Sequence, residues 1–234
     1  MPASFNAANS QYISLGINQP YCMNTSGSTI SAWIYVTDTT SERDIVAISV
    51  GASSSTSTSR ASLVVLAGGT LCLVSRASDA DAEHDCNGTT GGIAVNTWYH
   101  VVGVCNLATA TQTLYINAVQ HAQATGVAFD GVVTSNTNSY NTCLGSQDNG
   151  SGTYMSGYIH DVRIFNRVLS VNEITTIYTS GGKDNIIYGQ QGRFLMSEGT
   201  AGSSISTLVN FGSVGTAGTP VNGPTYASGI LEIQ

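Results

Sequence analysis

The sequence predicts an all-β protein, a two-sheet antiparallel β-sandwich with one short helix near residues 170–180. Three observations lead there. Apolar and polar residues alternate in short runs separated by turn-forming residues, the pattern of strands half-buried in a sheet. Helical spacing with its own start and stop signals occurs at one place. Hydrophobic residues make up 41% of the 234 positions and charged residues 9%, enough apolar surface for a sizeable core.

The strands follow in order. "SQYISLG" and "STISAWIYVTD" alternate apolar and polar residues. "DIVAISV" and "ASLVVLAGGTLCLVSR" come next, the second divided by Gly68-Gly69 into a hairpin. "TWYHVVGVCN" and "QTLYINAV" are strands joined by a small-residue loop around Ala108–Thr111, and "YNTCLGS" is a further strand. Ser53–Ser59 is a Ser/Thr tract that reads as an exposed loop. From Tyr158 to Phe165 large apolar residues occupy both alternation faces. Tyr158, Val162 and Ile164 fall on one, Ile159 and Phe165 on the other.

The helix comes directly after. Ser170 and Glu173 form an S-x-x-E capping box, and Leu169 with Ile174 makes a hydrophobic staple. Ile174, Ile177 and Tyr178 mark its apolar face, and Gly181-Gly182 ends it. An amphipathic helix of this length is expected to pack on the sandwich. Residues 1–182 read as one domain. Residues 183–234 read as a strand-like C-terminal extension packing on the sandwich or on a neighbouring subunit. The extension has few large apolar residues (Phe194, Leu195, Phe211), so it must dock to stay ordered. Removing residues 185–234 is expected to leave a folded domain.

The net charge is −7, Lys183 is the only lysine and the six arginines are scattered. No basic patch tracks a phosphate backbone, which excludes a nucleic-acid partner. No apolar run approaches the ~18 residues of a membrane span. "MPASFNAANSQYISLG" has neither a basic nor an apolar segment of a secretory signal, so synthesis in the cytosol without a signal peptide is expected. The five cysteines have no C-x-x-C spacing, which excludes the common zinc and redox motifs. Cys72, Cys105 and Cys143 lie in apolar strand patterns and read as small buried hydrophobes, with a Cys72–Cys86 pairing left open.

Several of these pieces, in order, resemble the laminin-G-like, concanavalin A-like lectin/glucanase superfamily of jelly-roll domains. "FNAANSQYISLG" is similar to its opening strand pair and "ISAWIYV" to its Trp-hydrophobic strand. "NTWYHVVGVCN" with "TLYINAV" is similar to its central hairpin, and "GYIHDVRIFNRVLSVNEITTIY" to its closing strand and helix. The resemblance covers most of residues 1–180 and implies that the helix is a packing element. "GRFLMSEGTAGSSISTLVNFGSVGTAGTPVNGPTYASGIL" resembles a segment that often precedes such domains, with Asn222-Gly223-Pro224 as its last element.

The candidate chemistry is sparse. Some members of the superfamily are glycosidases with an E-x-D-x-E-type strand, and retaining hydrolysis needs two carboxylates ~5 Å apart. The one carboxylate cluster, Asp79, Asp81, Glu83 and Asp85 in "SDADAEHDCNG", does not match that motif. Hard oxygen ligands on a loop suit Ca²⁺, and the resemblance implies calcium at the sandwich rim. "SQDNGSG", with Asp148 and Asn149, is a second rim loop, and Tyr140 and Tyr154 are candidates for stacking on a sugar there. Trp33 and Trp98 read as core. His84, His100, His121 and His160 assemble no site, and His160 stands where the family often has Asp. There is no nucleophile elbow and no phosphate loop.

A non-enzymatic role is therefore expected, in one of two forms. One is a structural or adhesive protein on the surface of a virus-like particle, as head decoration or tail-associated protein. Its partners would be a capsid or tail protein, further copies of itself, and a cell-surface glycan. The alternative is an extracellular glycan-binding module of a secreted bacterial protein. A glycosidase or lyase is the third reading.

Overall fold

The computed structural model describes residues 1–17, 20–22, 27–49, 59–76, 83–126, 141–147 and 150–227. The strands are β1 (Ala3–Phe5), β2 (Tyr12–Gly16), β3 (Gly27–Val36), β4 (Arg43–Ser49), β5 (Ser59–Leu66), β6 (Thr70–Ser75), β7 (His84–Asn87) and β8 (Trp98–Asn106). They continue with β9 (Thr111–Ile116), β10 (Val119–Thr125), β11 (Thr142–Leu144), β12 (Gly157–Phe165), β13 (Gln190–Phe194), β14 (Thr219–Val221) and β15 (Thr225–Tyr226). Among the described residues one α-helix, α1 (Val171–Thr179), follows β12, and a single turn of 3-10 helix, Ala7–Asn9, lies between β1 and β2. α1 is too short to cross a membrane, and no helix among the described residues is long and apolar enough to do so.

The strands form two antiparallel sheets. The first runs β10-β9-β8-β3-β12-β1-β15, with β13 also paired to β12. The second runs β14-β2-β11-β4-β5-β6-β7. Their facing sides interlock. Ile30, Ile34 and Val101 of the first sheet share one buried cluster with Ile13, Ile48, Leu63 and Leu71 of the second. Gly103 of β8 shows how closely they approach: a Cβ there would lie 2.8 Å from Leu73 Cδ1 on the opposite sheet. The β5–β6 hairpin turns at Gly68 and Gly69, with φ of 81° and 78°. This is the left-handed conformation that glycine adopts without cost.

β12 departs from simple alternation. Asp161 has a φ of 43°, and the register with β3 slips between His160 and Arg163. This bulge reverses the parity. Ile159, Val162 and Ile164 therefore all face the core, whereas Phe165 belongs to a separate cluster on the outside of the sheet. The two-face pattern expected from sequence is corrected accordingly: Tyr158 does not share a face with Val162 and Ile164.

α1 covers part of that outer side. Leu169, Ile174 and Ile177 pack there with Val102, Val104, Tyr115 and Phe165. Its start is the expected capping box. The Ser170 side chain accepts from Glu173 N, and the Glu173 carboxylate accepts from Ser170 N at 2.9 Å. Gly181 and Gly182 end it at φ 58° and 79°, donating to the carbonyls of Tyr178 and Ile177 at 3.1 Å.

The C-terminal segment is woven into both sheets. β13 pairs with β12, β14 with β2, and β15 with β1. Phe194, Met196, Ile205, Leu208 and Tyr226 enter the main core. Arg163, fully buried, donates to Asp161 Oδ2 at 2.7 Å and to Asp184 Oδ1 at 2.8 Å. Arg193 Nε donates to Asp161 Oδ1 at 2.9 Å. The network ties β12 to the chain beyond α1. A folded remnant after removal of residues 185–234 is thus not what this packing supports, because the segment supplies core side chains as well as edge strands.

All five cysteines are buried and free. Cys86 lies opposite Leu73 on the β6–β7 ladder, so Cys72 and Cys86 point to opposite faces and do not pair.

Candidate functional site

The outer side of the first sheet carries two rows of rings across β12, β3 and β8. Tyr158, Tyr35 and Trp98 are partners in one row, and His160, Trp33 and His100 in the next. Same-face residues on a strand are about 7 Å apart, so the rows adjoin. The helix treats them differently. Tyr178 stacks on Trp33, with centroids 5.6 Å apart and planes 22° apart, and lies 6.0 Å from the His100 ring. Trp33 and His100 are buried beneath it. The outer row lies beyond the reach of α1 and stays half-exposed.

In that open row the centroids of Tyr35 and Trp98 are 5.6 Å apart, those of Tyr35 and Tyr158 5.4 Å, and those of Trp98 and Tyr158 6.3 Å. Three adjoining rings form an uneven platform: Trp98 and Tyr158 are 25° from parallel, and Tyr35 is tilted 53° and 46° to them. Beside it is a depression of about 310 Å³ lined by Ser4, Phe5, Asn6, Thr37, Ser156, Gly157 and Tyr158. Along β12 in the other direction lies a cleft of about 550 Å³. Its walls include Met1, His160, Asp161, the last residue of α1, Thr179, with the turn from Ser180 to Lys183 that follows it, and Leu195 and Ser197.

The ring block also concentrates unmet hydrogen bonding. Trp98 Nε1 in the outer row, and Trp33 Nε1, His100 Nδ1 and His160 Nδ1 in the inner row, are buried without a partner. Native structures leave few such groups, and each calls for a reason. His100 Nε2 is 2.8 Å from Ser31 Oγ. Burial, aided by the Arg163 charge, pushes His100 down to about 3. Burial likewise takes His160 down to about 4. Both rings are neutral at physiological pH.

The residues singled out from sequence lie elsewhere. Asp79, Asp81, Tyr140, Asp148 and Asn149 fall outside the described residues, as does most of the Ser53–Ser59 tract. Glu83 is bound to Arg76 Nη2 at 2.6 Å, and Asp85 sits exposed on β7, a strand rather than a loop. Calcium takes six to eight oxygens. With Glu83 engaged, the described residues do not by themselves make such a site, and none of them form a metal-binding group of three or more His, Cys, Asp or Glu. Tyr154 is half-buried; its hydroxyl donates to Gly150 O at 2.7 Å and its ring lies 6.3 Å from Tyr12. Tyr12 is on β2 and Asp85 on β7, towards opposite ends of the second sheet, so the structure does not bring Tyr154 to the acidic residues. Trp33 is core, as its strand pattern indicated, but Trp98 is not. The signal for the platform was present as "W-I-Y", "W-Y-H" and "Y-I-H", each putting two rings on one face of a strand. Pairing the three required the register.

Every arginine whose side chain is described is in an ion pair: Arg43, Arg76, Arg163, Arg167 and Arg193.

The chain is thus a jelly-roll sandwich with an aromatic cluster on the outer side of one sheet. Residues 7–175 match the Laminin_G_3 family of the Concanavalin A-like lectin/glucanases superfamily, and the chain belongs to that family. A search of curated proteins found no match. Among solved structures, the chain is similar to a Bacteroides ovatus protein put forward as carbohydrate-binding, at 18% identity and a TM-score of 0.68, covering 100% of this chain and 61% of that one. The chain thus spans less than two thirds of that protein's length. It is also similar to the CBM40 of the Ruminococcus gnavus IT-sialidase bound to α2,3-sialyllactose, at 16% identity and a TM-score of 0.53, over 65% of this chain and 83% of that one. A heptameric SAP-like pentraxin from Limulus polyphemus matches at 16% identity and a TM-score of 0.59, over 93% and 94%. At these identities the likeness is one of fold.

Proposed function

We propose that the protein is a non-catalytic glycan-binding module whose ligand stacks on Tyr35, Trp98 and Tyr158. The observation that carries this reading is the three-ring platform left open by α1. The apolar face of a sugar ring packs on aromatic faces, while hydroxyl and amide groups beside them fix its orientation. Ser4, Asn6, Thr37 and Ser156 line the adjoining depression and supply such groups. No carboxylate lines it, whereas glycoside hydrolysis needs a pair. That supports binding over cleavage.

The carbohydrate-binding descriptions of the Bacteroides ovatus and Ruminococcus gnavus structures support the same reading and an extracellular setting. Neither they nor the Limulus pentraxin is a particle protein, so display on a virus-like particle gains nothing from them. The glycan-binding alternative takes its place. The test is a glycan array, followed by titration of the best ligand into wild type, Tyr35→Ala and Trp98→Ala. Stacking on an aromatic ring contributes about 0.5–1.5 kcal/mol, so each variant should lose roughly two- to tenfold in affinity. Unchanged affinity in folded variants would remove the platform from the site.

A further inference from the structure

The depression beside the ring row is part of the same surface. It shares Tyr158 with the row, and Ser4, another of its lining residues, is the register partner of Tyr158 on β1. Across the strands the row thus passes from three rings to a hydroxyl. A ligand can reach the polar groups here: Asn6 and Thr37 are exposed, and Ser4, Ser156 and Tyr158 are half-exposed. Asn6 Oδ1 accepts from Ala8 N at 3.0 Å, which leaves the amide nitrogen of that side chain to donate elsewhere. The hydroxyls can both donate and accept. Every one of these groups is neutral, and no Lys, Arg, His, Asp or Glu lines the depression. The charges next to Thr37 are engaged with one another. Arg43 is paired with the Asp38 carboxylate and donates to the Asp38 and Glu42 carbonyls at 3.3 and 3.1 Å. Lys183, the only lysine, lines the separate cleft beside His160.

We propose that the glycan is uncharged where it meets this surface: a neutral saccharide rather than a sialylated, uronic-acid or sulfated one. This rests on the glycan-binding reading and names the class of its ligand. A carboxylate or sulfate seated in the depression would give up water for hydroxyls and one amide and would meet no cation there, so its desolvation goes uncompensated. A site for an acidic sugar supplies Arg or Lys to the anion, and neither lines this one. The net charge of −7 adds a repulsion of the same sign at longer range. A sugar hydroxyl in the same place finds both donors and acceptors among Ser4, Asn6, Thr37 and Ser156. The apolar face of the sugar then rests on the rings, and its hydroxyl edge turns into the depression.

The experiment sorts the glycan array by charge and titrates its best neutral ligand calorimetrically into the full chain. Beside it are titrated the counterparts in which each primary hydroxyl in turn is oxidised to a carboxylate. The neutral ligand should bind about tenfold or more tightly than the uronate whose carboxylate falls in the depression. Its affinity should change by less than about twofold between about 20 and about 500 mM NaCl. Thr37→Lys sets an ammonium at the exposed rim, and there that uronate should gain about threefold or more on the neutral ligand. An acidic glycan that binds wild type as tightly as any neutral one, and weakens in Tyr35→Ala, would overturn the neutral class and leave the platform standing. An unchanged ratio in folded Thr37→Lys would also overturn it, because the ligand would then not enter the depression. If instead no glycan binds, or Tyr35→Ala and Trp98→Ala both leave binding intact, the platform reading itself fails.

Discussion

Lowering the pH from 7 to 5 should destabilise the protein through two buried histidines. His100 has a pKa of about 3 in the folded protein and His160 about 4, against 6.5 for an exposed histidine. Between those values the unfolded chain binds a proton that the folded one excludes, so stability falls as pH falls through 6.5 and continues to fall until the folded ring titrates. At pH 5 the unfolded ring is almost fully protonated and the folded one almost fully neutral. Each histidine then removes about 2 kcal/mol relative to pH 7, or roughly 4 kcal/mol together. The carboxylates barely contribute in this window. Hydrogen bonding from Arg167 lowers Glu173 to about 2; hydrogen bonding from Arg163 outweighs burial at Asp184 and holds it at about 2 as well. Their stabilisation is lost below the ordinary carboxylate values of 4.5 and 3.8. Urea melts at pH 7 and 5, at fixed ionic strength, measure the difference. His100→Gln retains a polar group towards Ser31 and should remove about half of the pH dependence. A wild-type midpoint unchanged between the two pH values would refute the assignment of neutral buried rings. So would a His100→Gln protein as acid-sensitive as wild type.

Three further outcomes are expected. Ser170→Ala removes the helix cap and should cost about 1 kcal/mol, while Leu169→Ala, which empties a buried site under α1, should cost about 2–5 kcal/mol; equilibrium denaturation separates them. Arg163→Ala leaves Asp161 and Asp184 without their buried partner and should cost about 3–5 kcal/mol, and a chain ending at residue 182 should fail to give a cooperative melt. Any calcium effect should be specific to Ca²⁺ over Mg²⁺, arise from the Asp79–Asp85 segment and disappear in Asp85→Asn; identical melts with Ca²⁺, Mg²⁺ and chelator would leave that segment a solvated acidic stretch.

The strands and the helix were legible because each is written in local residue types. The capping box at Ser170–Glu173 and the glycine pairs at 68–69 and 181–182 act over a few bonds, so their neighbours suffice to read them. β10 was missed because "VQHAQAT" has no apolar alternation; as the edge strand of its sheet it owes its place to pairing with β9. The parity of β12 was misread because a single residue, Asp161, carries the bulge. Its conformation is tied to Arg163 and to Arg193, which is 32 positions away. The platform was hidden for a related reason. Trp33 and Trp98 look alike in sequence, and the position of α1, which stacks Tyr178 on Trp33, leaves the first fully buried and the second partly exposed.

The pairing of β1 with β15 has a mechanical consequence. Ala3 lies opposite Tyr226, and Ala227 N donates to Pro2 O at 2.9 Å. The two ends of the described chain therefore leave from one corner, on neighbouring antiparallel strands. Tension applied between them would load those bonds in series, peeling the pair open from its end instead of shearing many bonds at once. A load entering at one end and leaving at the other would pass through β1, whose Ser4 lies opposite Tyr158, and so would reach the edge of the ring platform.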